Sequence, residues 1–334
     1  MEKKKNNHMF WLSICLLVMM MLAACNSSNE SVAKEEKQQK DNSEYSEVVI
    51  NNMGRTVKFT EPPKRAITLN QHATEIMLAL GLQDSMVGTA YLDDQILPKF
   101  KDAYEKIPVL SKQYPSKEVF LAKEPDFAYA GWKSAFTEKT LGTVEELEEL
   151  GIKTYIQESS NKVAPTLEDV YKDIENIGRI FQVEAKANEV INQMKKDIEE
   201  ITKQIGTVEK PLKVFVYDSG VDKPFTAANN YLTHLIKIAG AKNIFDDIQK
   251  GWADVSWEEV VNRNPDVIVI IDYGDTTVKQ KQDLLLSKKE LADVTAIKNK
   301  RFIILPLSAA AEGIRAPIAL KTLAEGLYPE KFRK

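Results

Sequence analysis

Few residues in this chain are equipped for chemistry. Among its 334 residues stand three histidines and two cysteines. There is no Gly-x-Gly-x-x-Gly loop, no Walker loop and no activated nucleophile. A triad hydrolase or a multi-histidine metal centre has little to build from. The carboxylates are arranged more deliberately. The run from Ser116 and Glu118 to Pro125-Asp126 aligns without gaps to the run from Ser256 and Glu258 to Pro265-Asp266. In both, Glu follows Ser by two residues and Pro-Asp follows that Glu by seven. Each Ser reads as a helix N-cap, and a Glu in the first turn favours the helix dipole. Glu259 completes a Ser-x-x-Glu capping box and has a local role. A ligand has no need of such symmetry, because the two walls of a cleft see different parts of it. Docking against a pseudo-twofold partner does need it.

The elements that position these residues alternate along the chain. Short apolar runs predict strands at 66–69, 86–88, 127–130 and 153–156, then at 213–217, 267–271 and 302–305. Amphipathic stretches lie between them, an α/β pattern with mostly parallel sheets. A helical region separates the two sets, with one helix over 166–180 and a second over 183–206. Along the second, Ala187, Val190, Ile191, Met194, Ile198, Ile201 and Ile205 recur at spacing three or four. At 1.5 Å per residue it reaches roughly 35 Å, the width of a small domain. Its length, with fresh α/β units on either side, predicts a rigid strut between two lobes rather than an ordinary crossover. A second repeat pairs Thr74–Gly81 with Thr233–Gly240, a helix and its C-terminal glycine in each lobe.

The N-terminus opens with Lys3, Lys4 and Lys5, followed by an apolar stretch over 9–22. That stretch is short for a membrane span of roughly 20 residues and suits a secretory signal. Leu22-Ala23-Ala24-Cys25 then resembles the lipobox of bacterial lipoproteins. The resemblance implies cleavage before Cys25 and a lipid on its thiol. Residues 26–46 are almost devoid of apolar side chains and read as a flexible tether. Residues 1–24 carry a net +2, so the formal −4 of the whole chain becomes about −6 without them. An acidic body argues against nucleic acid as a partner. It also holds no free thiol, no disulfide and no cysteine-based zinc site.

From about Arg65 onward the chain resembles the periplasmic-binding family for ferric siderophores, cobalamin and haem. The residues that carry the resemblance are Ala79–Gly88, Glu124–Asp126, Gly240–Phe245, Val255–Glu258 and Asn264–Asp266. It implies a class III solute-binding protein, with two Rossmann-like lobes joined by a single long helix. The organisation expected is a signal over 1–24, a tether over 25–46, lobes over 47–164 and 207–334, and linking helices over 165–206 with the strut at 183–206. It further implies that Glu118 and Glu258 pair with arginines on the two permease subunits of an ABC importer. The protein would be a monomer anchored on the extracytoplasmic face of the cell membrane, with no cofactor beyond iron or cobalt carried by the ligand.

Ligands of such sheets lie beyond the C-terminal ends of the strands. That rule singles out the Asn70-Gln71-His72 turn, Tyr91, Tyr114 and Trp132, with Phe225 and Trp252 from the second lobe. Aromatic faces suit large planar ligands; core packing is the plain alternative for each ring. For His72 a structural role outweighs metal ligation. The resemblance implies that Arg315 faces anionic ligand groups, with a surface salt bridge as the alternative. Competing functions are a free-metal carrier, which needs more histidine and carboxylate donors, and an enzyme on a Rossmann-like scaffold. Asn70–Glu75 and Tyr91–Asp94 also resemble relatives that bind a deazaflavin-cofactor precursor.

Overall fold

The structure is a computed structural model that describes residues 46–333. The signal, Cys25 and nearly all of the tether lie outside the described residues. From Glu47 on, the chain forms one compact unit. It opens with a hairpin, β1 (Val48–Asn52) and β2 (Arg55–Phe59), paired antiparallel. Its alternating burial follows the period of two of a half-buried ribbon.

The first sheet is parallel, with strand order β5-β4-β3-β6-β7. These strands are β3 (Ala66–Leu69), β4 (Met86–Ala90), β5 (Val109–Ser111), β6 (Phe127–Ala130) and β7 (Lys153–Ile156). Strands β3 and β6 are buried along their whole length, as expected of central strands covered on both faces. After β3 the chain steps to β4 and β5 on one side, then returns to lay β6 on the other. The order therefore reverses between β3 and β6. Helix α1 (Gln71–Ala79) follows β3 directly, and α2 (Lys117–Leu121) precedes β6.

Two helices then carry the chain across. Helix α3 (Leu167–Ile180) opens on a capping box between Thr166 and Asp169. Helix α4 (Glu184–Ile205) is 22 residues long and ends at Gly206, whose φ is 62°. Ala187, Ile191, Met194, Ile198 and Ile205 are buried on one side of it. The apolar stripe thus packs inward, while its lysines and glutamates stay exposed.

The second sheet repeats the plan with order β10-β8-β12-β13, again parallel. Its strands are β8 (Lys213–Tyr217), β10 (Lys242–Asn243), β12 (Val267–Asp272) and β13 (Phe302–Pro306). Its order reverses between β8 and β12. A small antiparallel ribbon of β9 (Phe225–Ala227) and β11 (Trp252–Asp254) stands beside it. Helix α5 (Tyr231–Ile238) follows β9, α6 (Trp257–Arg263) precedes β12, and α7 (Ala316–Leu327) closes the fold. No helix among the described residues is long and apolar enough to cross a membrane.

Candidate functional site

The two reversals of strand order create two crevices, and each is lined by the residues that follow the flanking strands. In the first sheet Asn70 follows β3, and Gly131 and Trp132 follow β6. The Asn70 side-chain oxygen accepts from Gly131 N (3.2 Å) and Trp132 N (3.4 Å), and the same side chain meets the Tyr114 hydroxyl at 3.3 Å. Asn70 holds a left-handed backbone at φ 77°, and Tyr91, just past β4, does so at φ 61°. Such conformations cost about 1–3 kcal/mol each and persist where the surroundings enforce them. Tyr91 packs its ring edge-on against Tyr114 at 4.7 Å. Burial raises the Tyr114 hydroxyl above the ordinary phenol range, against the opposing pull of its bonds to Ser134 and Asn70.

In the second sheet Asp218 follows β8 and Tyr273 follows β12. Tyr273 donates to the Asp218 carboxylate at 2.7 Å. Burial first, and that bond second, hold the phenol well above its usual range. Beneath them Lys281 donates to the carbonyls of Asp218 and Ile271, both at 2.7 Å. Asp218 and Tyr273 were not singled out from sequence, although the rule that selected Asn70 and Trp132 also selects them. It needed only the strand order of the second sheet.

Contacts join the two halves. Ser308 donates to Asp94 at 2.7 Å, and Ala164 N donates to Asn229 O at 2.8 Å. Gln157 donates to the Glu312 carbonyl. Arg315 crosses most deeply. Its Nε and one terminal nitrogen hold both oxygens of Glu75 at 2.8 and 2.6 Å, and the rest of its donors go to Gln95 O, Ser308 and Asp94. Glu75 is 1% and Arg315 7% exposed. The expectation of an anion anchor or a surface salt bridge at Arg315 is therefore corrected. Every donor on the guanidinium is spent inside the protein, two of them on the Glu75 carboxylate of the other half.

His72 is buried. Its ring lies edge-on to Trp132 at 4.9 Å, and its Nε2 is 3.3 Å from Ser160 Oγ. A Cβ on Gly131 would fall 2.1 Å from that nitrogen, so only glycine fits beside it. Burial lowers the imidazole to about 4, which keeps it neutral. Burial likewise pushes Glu312 up to about 7 and Asp173 up to about 6. Phe225 and Trp252 stack on the ribbon at 5.7 Å with 16° between their planes. Among the described residues no group of three or more His, Cys, Asp or Glu stands close enough to hold a metal ion.

Glu118 and Glu258 lie elsewhere, at the first turns of α2 and α6, and both are exposed. Ser116 caps the first helix through Val119 N (3.3 Å), and Ser256 caps the second through Glu259 N (3.1 Å). Glu259 is taken up by Arg263 at 2.9 Å.

The chain matches the family model described as periplasmic binding protein over residues 67–309. An uncharacterised ABC transporter substrate-binding lipoprotein of Bacillus subtilis, YvrC, is 27% identical over 288 residues, 85% of each chain. A vitamin B12-binding protein of Vibrio parahaemolyticus is 28% identical over 210 residues, 62% of this chain and 70% of the relative. A solved periplasmic binding protein from Veillonella parvula superposes with a TM-score of 0.78 at 34% identity, covering 85% of this chain and 98% of that one. The paired parallel sheets, the helices that cross between them and the match over residues 67–309 together make this chain a member of the periplasmic binding protein family, whose members bind substrates for transport and are not enzymes.

Proposed function

We propose that this protein is the substrate-binding lipoprotein of an ABC importer, capturing a metal chelate between the two crevices and presenting it to the permease. The observation that carries the reading is the pair of strand-order reversals, one in each sheet, with Trp132, Tyr91 and Tyr114 beside the first and Tyr273 beside the second. Aromatic walls offer area to a large ligand at low entropic cost. A ferric hydroxamate or corrinoid fits that chemistry; a vitamin B12-binding relative points the same way. A molybdate-binding relative from Haemophilus influenzae, 24% identical over 307 residues, supplies a second reading. A small oxyanion needs free donors, and the Arg315 guanidinium has none to give. Lipidation at Cys25 ties the body to the extracytoplasmic face of the membrane, and Glu118 with Glu258 forms the contact to the permease.

Titration of the soluble body with ferric hydroxamates, a ferric tricatecholate, cobalamin and haem, followed by tryptophan fluorescence, tests the ligand class. Binding with quenching of Trp132 is the expected result. If none of these binds while molybdate or a deazaflavin does, the chelate reading is wrong.

A further inference from the structure

A groove of about 550 Å³ opens where the chain leaves the first half to enter α3. None of the crevice residues named above lines it. One wall is the segment 164–166; the other comes from the second half, chiefly from the start and one face of α5. Ala164 takes a left-handed backbone at φ 55°, and its N–H donates to Asn229 O at 2.8 Å, which ties the two walls together. The lining holds donors that have nothing to donate to. Asn230, only 6% exposed, caps α5 by accepting from Thr233 N at 3.2 Å, while its Nδ2 has no partner among the described residues. That amide is open to the groove rather than sealed. Among the described residues only the Tyr231 hydroxyl is both sealed from solvent and unbonded. The side chains of Asn229, His234 and Lys237 line the same groove and also lack a hydrogen-bond or ion-pair partner among the described residues. Asn230, His234 and Lys237 recur at spacing four and three, so they share one face of the helix.

The acceptors beside them are already engaged. Asp246 lies 3.9 Å from Lys242 Nζ, and Asn243 Oδ1 accepts from Phe245 N at 3.1 Å. The Thr233 hydroxyl accepts from Asn243 Nδ2 at 2.7 Å and donates to Ala228 O. Asp169, in the first turn of α3, is taken up by Lys162 at 2.6 Å. Burial, and then the charge of Lys237, holds the His234 imidazole below its ordinary value, against the opposing pull of Asp169. The groove is therefore short of acceptors and of negative charge, and its volume is that of a small-molecule site. We propose that it binds a small molecule bearing clustered anionic oxygens, carboxylate or phosphate, with Lys237 as its principal charge and Asn230 and His234 as orienting donors. The site is separate from the crevices and stands whether or not they hold a metal chelate. One wall belongs to the segment leaving the first half and the other to the second half, so an occupant bridges them and stabilises the folded arrangement by mass action.

Metal-free citrate and inorganic phosphate test this on the soluble body, with sodium chloride at matched ionic strength as the control and amide shifts in NMR as the readout. At least one of the two should bind saturably, with a Kd of about 1 mM or tighter, where chloride does not. The shifts should centre on residues 229–237 and include the Asn230 side-chain amide. Citrate alone assigns clustered carboxylates, phosphate alone assigns a phosphate group, and binding of both upholds their shared oxygen chemistry. Lys237→Gln, at an exposed position, should weaken binding by about fivefold or more. Lys139→Gln, at an exposed position of the first half, should leave it unchanged. Shifts centred on Trp132 and Tyr273, an affinity that survives Lys237→Gln or falls equally in both variants, or no saturable shift below about 10 mM would each overturn the site.

Discussion

Arg315 grips Glu75 through two hydrogen bonds of 2.8 and 2.6 Å, joining the end of the second half to the first helix of the first half across 240 residues of sequence. Both groups are withdrawn from water. A buried ion pair of this kind is weak evidence of net stabilisation, because desolvation offsets much of the attraction. Breaking it is another matter. Arg315→Ala leaves Glu75 buried and unpaired, and should cost about 3–5 kcal/mol. The double replacement Glu75→Gln with Arg315→Met should recover most of that loss. Urea unfolding of the two variants measures both quantities. A single variant as stable as the wild type would show that water replaces the guanidinium freely.

Stability should also depend on pH through the buried groups Glu312, Asp173 and His72. Folded, Glu312 titrates near 7 against an ordinary 4.5, and Asp173 near 6 against 3.8. Both shifts are upward, so their contribution is full at low pH and disappears as pH rises through 6 and then 7. His72 has the opposite sign. Its folded value of about 4 lies below the ordinary 6.5, so its contribution is present above 6.5 and is lost as pH falls toward 4. From about pH 4.5 to 6 the two acids outweigh the one histidine. Glu312→Gln removes the acid with the highest window. Over pH 5 to 7 the unfolding free energy of the wild type should fall relative to this variant by up to about 1.4 kcal/mol per unit. Parallel curves for the two proteins would place the proton elsewhere.

Much of the framework was legible because single strands carry their own signal. The runs 66–69, 127–130, 153–156 and 213–217 coincide residue for residue with β3, β6, β7 and β8. The stripe from Ala187 to Ile205 likewise gave α4 to within one residue at each end. The hairpin of β1 and β2 went unread, although Val48, Ile50, Val57 and Phe59 alternate with exposed positions around Met53-Gly54. What no local pattern encodes is pairing at long range. Nothing near Arg315 in sequence announces Glu75, so its guanidinium read as available when it is spent. Asn70 shows the same limit. Its turn was visible, but its grip on Gly131, Trp132 and Tyr114 exists only once β3 and β6 are neighbours.

Anchoring is tested at Cys25. The proposed lipobox would place the acyl chains on its thiol, and two chains on one group give stable membrane attachment. Cys25→Ala should shift the protein from the detergent phase to the aqueous phase on phase partitioning, and from cells into the medium or periplasm. Identical partitioning of the variant and wild type would remove the anchor from the proposed function.

The docking assignment makes the last prediction. Glu118 and Glu258 stand in the same register of two N-capped helices, α2 and α6, and each precedes a central strand of its sheet. Neither belongs to the crevices, and both are exposed. An exposed ion pair is worth only about 0.2–1 kcal/mol, more when an interface excludes water. Loss of one carboxylate should therefore weaken uptake in part, and loss of both should weaken it severely. Glu→Arg should be worse than Glu→Ala at either position, because it sets like charges against the arginines expected on the permease. Ligand affinity of the isolated protein should not change in any of these variants, since neither side chain lines a crevice. Uptake by cells, measured beside titration of each purified variant, separates the two roles. A collapse of ligand affinity alongside uptake would move these carboxylates into the binding site, and unchanged uptake in the double variant would remove them from the permease contact.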